Sequence, residues 1–205
     1  MKTKRNTKGL FLMTTGLLLI ASALGLAGFN LWEANRAEEI SEEVAVILKS
    51  TIEGVVLATP EGYVPDYMVA EEITMPKYPV NGYDYVGMLE IPCLGLKLPI
   101  INDWSYGALK CAPCRYTGSV YDSDMVIMAH NYRSHFARLS RVGMGERISF
   151  TDMDGNKFVY EAVELETLQA TQIEEMTSGD WDMTLFTCTT GGQARVAVRF
   201  VEVRE

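Results

Sequence analysis

Histidine is scarce in this chain. Its 205 residues include two, His130 and His135, and four cysteines, Cys93, Cys111, Cys114 and Cys188. Four cysteines are too few for a disulfide-built scaffold, and a chain of this length can bury a sufficient core without one. Acidic residues are missing from the first 32 positions, which carry Lys2, Lys4, Arg5 and Lys8 instead. Of 18 basic residues in all, 14 therefore stand against 27 acidic ones from Glu33 onward. Phosphate recognition needs basic surface, so a body this acidic argues against nucleic acid as a partner. Internal repeats and low-complexity tracts are absent too. With 48% hydrophobic and 22% charged residues, the chain is neither disordered nor collagen-like.

What is present first is a long uncharged run, Gly9 to Phe29, of 21 residues. As a helix it would extend roughly 31 Å, enough to cross a hydrocarbon core of about 30 Å. The basic cluster precedes it, and Glu33, Glu38, Glu39, Glu42 and Glu43 follow. Positive residues stay inside, so the N-terminus is expected in the cytoplasm and the body outside. A cleaved signal peptide competes with this reading, because Ala21-Ser22-Ala23 has the small-x-small form of a cleavage site. The run continues through Leu24-Gly25-Leu26-Ala27, however, past the usual 7–15 residues of a signal core, which favours an uncleaved anchor. Either route exports the body.

The expected organisation is a cytoplasmic basic tail (1–8), a transmembrane helix (9–32), a helical stalk with a Pro-rich linker (33–82) and a β-rich domain (83–205). Apolar residues Ala34, Ala37, Ile40, Val44, Ile47 and Leu48 recur at helical spacing in Glu33–Lys49. Four of seven prolines crowd into 59–82. Stalk and linker together would hold the body off the bilayer. Strands are expected near 85–91, 96–101, 115–121, 124–130, 146–151, 157–168, 182–188 and 194–203. Asp154-Gly155 reads as a hairpin turn. Ser134–Arg141 reads as a short helix capped by Ser134. Many short strands in about 120 residues imply a closed barrel or a sandwich.

Scarcity lets every Cys/His pairing be weighed. Cys111-x-x-Cys114 followed by His130 and His135 fits zinc-finger spacing, but His130 ends the strand MVIMAH and would not share a helical face with His135. As a redox pair, Cys111 and Cys114 lack the strand-to-helix setting of thioredoxin-like motifs. They read as a local disulfide, which the Ala-Pro between them permits, or as two free thiols. Cys188 and His130 taken alone read as a buried thiol and a core histidine. The wording around them argues otherwise.

Thr184-Leu-Phe-Thr-Cys188 resembles the TLxTC signature of the sortases, membrane-anchored cysteine transpeptidases of Gram-positive surfaces. Arg195-Val-Ala-Val198 is similar to the family's arginine strand. MVIMAHNYRSHFARL (125–139) resembles the segment delivering the catalytic histidine, with Ala129 where the family usually has Gly. YVGMLEIP (85–92) and LKLPI (96–100) look like the opening strands. The resemblance implies a mainly β fold, a closed barrel of about eight strands with short helices. It implies Cys188 as nucleophile, His130 as proton shuttle and Arg195 as oxyanion or carbonyl donor, with Arg199 the rival on the same strand face. It implies an LPxTG-like sorting motif on secreted proteins as substrate, and an amine of a cell-wall precursor or pilin lysine as acceptor. No cofactor and no metal are implied. The motifs suit class B- or D-like members without choosing between them. A cysteine protease acting on a similar motif, or a non-catalytic surface-binding barrel, are the alternatives.

Overall fold

The computed structural model describes residues 7–69 and 73–204. Lys2, Lys4 and Arg5 of the basic cluster lie outside the described residues, as do positions 70–72 of the linker.

The N-terminal run and the amphipathic segment form one unbroken helix, α1 (Thr7–Ala58). At 1.5 Å per residue its 52 residues span about 78 Å. Its first half is long and apolar enough to cross a membrane, and nothing in the fold covers it. Its second half is different. Ala37, Ser41, Val44, Leu48 and Ile52, three or four apart, are buried along one stripe. The expected stalk is therefore not free-standing, because its apolar stripe finds a partner on the body.

That partner is a closed sheet of nine strands: β1 (Tyr78–Val80), β2 (Tyr83–Ile91), β3 (Leu96–Ile101), β4 (Cys114–Thr117), β5 (Met125–Ala129), β6 (Arg147–Asp152), β7 (Lys157–Gln169), β8 (Met183–Cys188) and β9 (Ala194–Glu202). The order is β1-β2-β3-β4-β5-β8-β9-β7-β6, and β6 pairs back onto β2 to close the ring. The eight strands β2–β9 make the barrel. The short β1 shares an edge of β2 with β6, the former at Tyr83–Tyr85 and the latter at Gly87–Glu90. Only β3–β4 and β5–β8 pair in parallel.

Strand alternation fills the interior with Val86, Leu89, Ile91, Ile127, Phe150, Leu185, Val198 and Phe200. A bulge between Tyr85 and Gly87 then sends Tyr85 and Met88 outward, into the cluster with Val44, Leu48 and Ile52 of α1. Gly87 is required there: a Cβ would collide with the Thr151 carbonyl oxygen and the Phe150 ring. The Asp154-Gly155 hairpin joins β6 to β7 as expected.

One expectation fails. Ser134–Arg141 is a run of tight turns ending in a 3₁₀ turn at Leu139–Arg141, not an α-helix. His135, Phe136 and Leu139 are all fully buried there, and the backbone closes i→i−3 bonds (His135 to Tyr132, Leu139 to Phe136) to drive them inward. Ser134 caps nothing; its hydroxyl is buried without a partner. Cys111 and Cys114 are free thiols. Their sulfurs point to different carbonyls, Gly107 at 3.7 Å and Ala112 at 3.5 Å.

Candidate active site

Parallel pairing of β5 and β8 in register, Ala129 opposite Thr187, brings the next residues, His130 and Cys188, to the same end of adjacent strands. Antiparallel pairing of β8 with β9 sets Arg195 directly opposite Cys188. Alternation does the rest. Met125, Ile127, Met183, Leu185, Val198 and Phe200 face the barrel interior, so Met128, His130, Phe186, Cys188, Ala197 and Arg195 face outward. His130, Cys188 and Arg195 accordingly line one pocket of about 290 Å³, with Trp104, Tyr106, Tyr116 and Phe186 among its walls. The rings follow one another as Tyr106, Trp104, Tyr116 and Phe186, with centroids 6.0, 5.8 and 5.6 Å apart. The opposite wall is α2 (Ile173–Thr177) and the turn before it. None of the described residues of the Pro-rich 59–82 segment lines the pocket; Tyr67 stacks instead on Tyr121 at 4.9 Å.

Both threonines of TLFTC have structural work. The Thr187 hydroxyl donates to the Ala129 carbonyl at 2.8 Å, tying the cysteine strand to the histidine strand one residue before each. Thr184 accepts from Arg199 Nη1 at 2.9 Å. Arg199, 2% exposed, also donates to Glu166 at 2.7 Å and to the carbonyls of Met176 at 2.7 Å and Glu175 at 2.5 Å. It is the pin that fixes α2, and its donors are committed. Arg195 is half-buried, and through Nη1 it reaches only its own turn, the carbonyls of Gly192 and Ala194 at 3.0 Å each. That turn, Thr189–Gln193, has Gly191 and Gly192 at φ +93° and +75°, a conformation natural to glycine.

Three neighbours bear on His130, and two of them, Glu33 and Lys110, lie outside every motif. Tyr132 packs its ring 4.9 Å from the imidazole, and its hydroxyl donates to Glu33 at 3.0 Å. Lys110 holds the other oxygen of Glu33 at 2.6 Å. Burial lowers the His130 pKa; the Glu33 charge opposes that and Lys110 adds to it. The Lys110 contact holds the Glu33 carboxyl below its ordinary range. His135 is sealed, with neither ring nitrogen bonded, and burial pushes its pKa down to about 4.

With this geometry in hand, the family model described as Sortase domain matches residues 89–203. The chain belongs to the sortase family. It is thereby a cysteine transpeptidase by family, and its closed barrel is the sortase fold. Solved structures similar to this sortase include sortase C1 from Streptococcus suis, at 25% identity and TM-score 0.52 over 59% of this chain and 74% of that one. A Clostridium perfringens sortase C with the C-terminal cell wall sorting motif aligns at 21% identity and TM-score 0.53, over 83% and 97%. Sortase A from Corynebacterium diphtheriae aligns at 16% and 0.55, over 88% and 96%. Among curated proteins nothing matches the chain.

Proposed function

We propose that this sortase cleaves an LPxTG-like sorting motif between Thr and Gly and passes the acyl group to an amine, using Cys188, His130 and Arg195. The observation that carries the reading is the register of β5, β8 and β9, which gathers the three side chains at one end of one pocket. The Cys188 sulfur, as thiolate, attacks the threonine carbonyl carbon. The C–N bond breaks as His130 gives its proton to the departing amine, leaving an acyl-thioester. An incoming amine then attacks the thioester, His130 takes its proton, and the thiolate leaves. Arg195 has a planar fork of donors suited to the developing oxyanion once it swings from its own turn.

The acceptor is an amine of a cell-wall precursor or a pilin lysine. The apolar half of α1 anchors the chain, with residues 1–8 cytoplasmic, 9–32 in the membrane, 33–82 leading to the barrel and 83–205 outside. A sorting motif bound by the Clostridium perfringens relative supports the substrate class.

Mass spectrometry of the protein incubated with sorting-motif peptides tests this. A thioester on Cys188 that an added amine discharges to amide product is expected. Free acid alone, with or without amine, would make the chain a protease, and no adduct with any peptide would leave a binding barrel.

A further inference from the structure

The Cys-His-Arg set has no carboxylate within its own motifs to orient the histidine. The fold supplies one from 97 positions before His130 in the sequence. We infer that Glu33, the first carboxylate after the membrane-spanning run, is a positioning residue for His130, acting through Tyr132, so that the helix leaving the membrane is a working part of the active site. This inference rests on His130 being the proton shuttle.

Three contacts carry it. Tyr132 lies against the imidazole with ring centroids 4.9 Å apart and planes at 43°. Its hydroxyl spends its one proton on Glu33 Oε2 at 3.0 Å, which fixes the phenol ring at both ends. Lys110, on the 3₁₀ turn Ala108–Lys110, anchors Glu33 Oε1 at 2.6 Å, so the carboxylate is held from the barrel side as well as by its own helix. The Glu33 side chain is 21% exposed and that of Lys110 52%, so the ion pair meets solvent on the lysine side and serves to place the carboxylate more than to add stability.

Among the described residues, the charged and titratable groups around His130 are Glu33 from α1, Lys110 from the 3₁₀ turn, Arg195 from β9, Cys188 from β8, and Tyr132 and His135 from its own segment. Among them Glu33 is the single anionic carboxylate. Its charge favours the imidazolium that must form when His130 takes a proton, against the burial that disfavours it. The ring of Tyr132 limits the rotation of the imidazole away from Cys188. A shuttle that serves first as acid and then as base needs both, a fixed direction and a protonated form within reach.

The test uses the full chain in lipid nanodiscs with ring-labelled histidine, where two histidines give two NMR titration curves and His130→Gln identifies one of them. Glu33→Gln is nearly isosteric and its one amide oxygen can still accept from Tyr132, so it removes the charge and, with it, the Lys110 ion pair. It is expected to lower the His130 midpoint, leave that of His135 in place, and reduce kcat on a sorting-motif peptide roughly tenfold with KM little changed. Tyr132→Phe, which keeps the ring and loses the donor, should reduce kcat to a similar extent, and the double variant should be no worse than the weaker single. Tyr132→Phe gives the same kcat test should Glu33→Gln fold poorly. Glu38→Gln, exposed one turn further along α1, is the control and should behave as wild type. A wild-type midpoint or a wild-type kcat in Glu33→Gln, beside an inactive His130→Gln, overturns the role of Glu33 alone. Normal turnover by His130→Gln instead removes the shuttle assignment on which the inference rests.

Discussion

The molecule holds the same three residue types twice, once gathered at the open end of β5, β8 and β9 and once sealed at three separate places in the fold. His130, Cys188 and Arg195 are partly exposed and line a pocket. His135, Cys114 and Arg199 are 0%, 0% and 2% exposed. Burial pushes the Cys114 thiol up to about 12, and it holds His135 neutral. Arg199 spends its guanidinium on Glu166, Thr184 and two carbonyls of α2. Arg195 reaches only its own turn. On the proposed reading, chemistry follows from uncommitted bonding capacity next to space for a substrate, not from residue type.

The comparison breaks outright if the sealed set can replace the open one. Cys188→Ala should leave no measurable thioester or product, and His130→Ala should lose activity by orders of magnitude, with both proteins melting near the wild-type temperature. Arg195→Lys keeps the charge and loses the fork, so kcat should fall roughly 10²–10³-fold, as for loss of an oxyanion donor, without a change in melting temperature. Arg199→Lys should invert that pattern, losing on the order of 3 kcal/mol of stability because buried partners are left unpaired. Thermal melts run alongside steady-state assays distinguish the two arginines; a stable but inactive Arg199→Lys would move the oxyanion role to Arg199.

The histidines can be separated by pH. The folded state keeps His135 neutral down to about pH 4, whereas the unfolded chain takes up that proton near 6.5. Unfolding therefore gains a proton between those values. Stability contributed above pH 6.5 should be lost progressively as pH falls from 6.5 to 4, by up to about 3 kcal/mol. Denaturant titrations across that range should show the slope, and His135→Phe, if it packs, should flatten it. The smallest effect belongs to the spare thiols. Cys111→Ser with Cys114→Ala should cost about 1 kcal/mol and leave turnover within a few-fold. A folded but inactive double variant would bring the dithiol into the mechanism.

Much of this was legible in the sequence because it is written locally. Strand alternation, the TLFTC wording and the hairpin at Asp154-Gly155 each sit within a dozen residues, and the elements they name are present. Residues 134–141 were misread because the apolar spacing of a helix also serves a tight loop whose His135, Phe136 and Leu139 must all point inward. The amphipathic stripe of 33–49 is present as a helix with Glu38, Glu39, Glu42 and Glu43 outward, but such a stripe announces that it will be buried, not against what. Glu33, Lys110 and Tyr132 were missed entirely. They belong to three distant segments, and only the docking of α1 along the barrel brings them together.

That docking has a geometric consequence. Glu33 falls four residues after Phe29, the end of the uncharged run, a rise of about 6 Å along the axis. With the run embedded as proposed, the Glu33–Tyr132 contact beside His130 would lie near the lipid headgroups, and the unbroken rod would hold the barrel at that height. Encounter would then be confined to a thin layer over the bilayer. A reactant that is itself tethered searches a surface rather than a volume, and a soluble peptide pays the entropy of reaching that layer on every turnover.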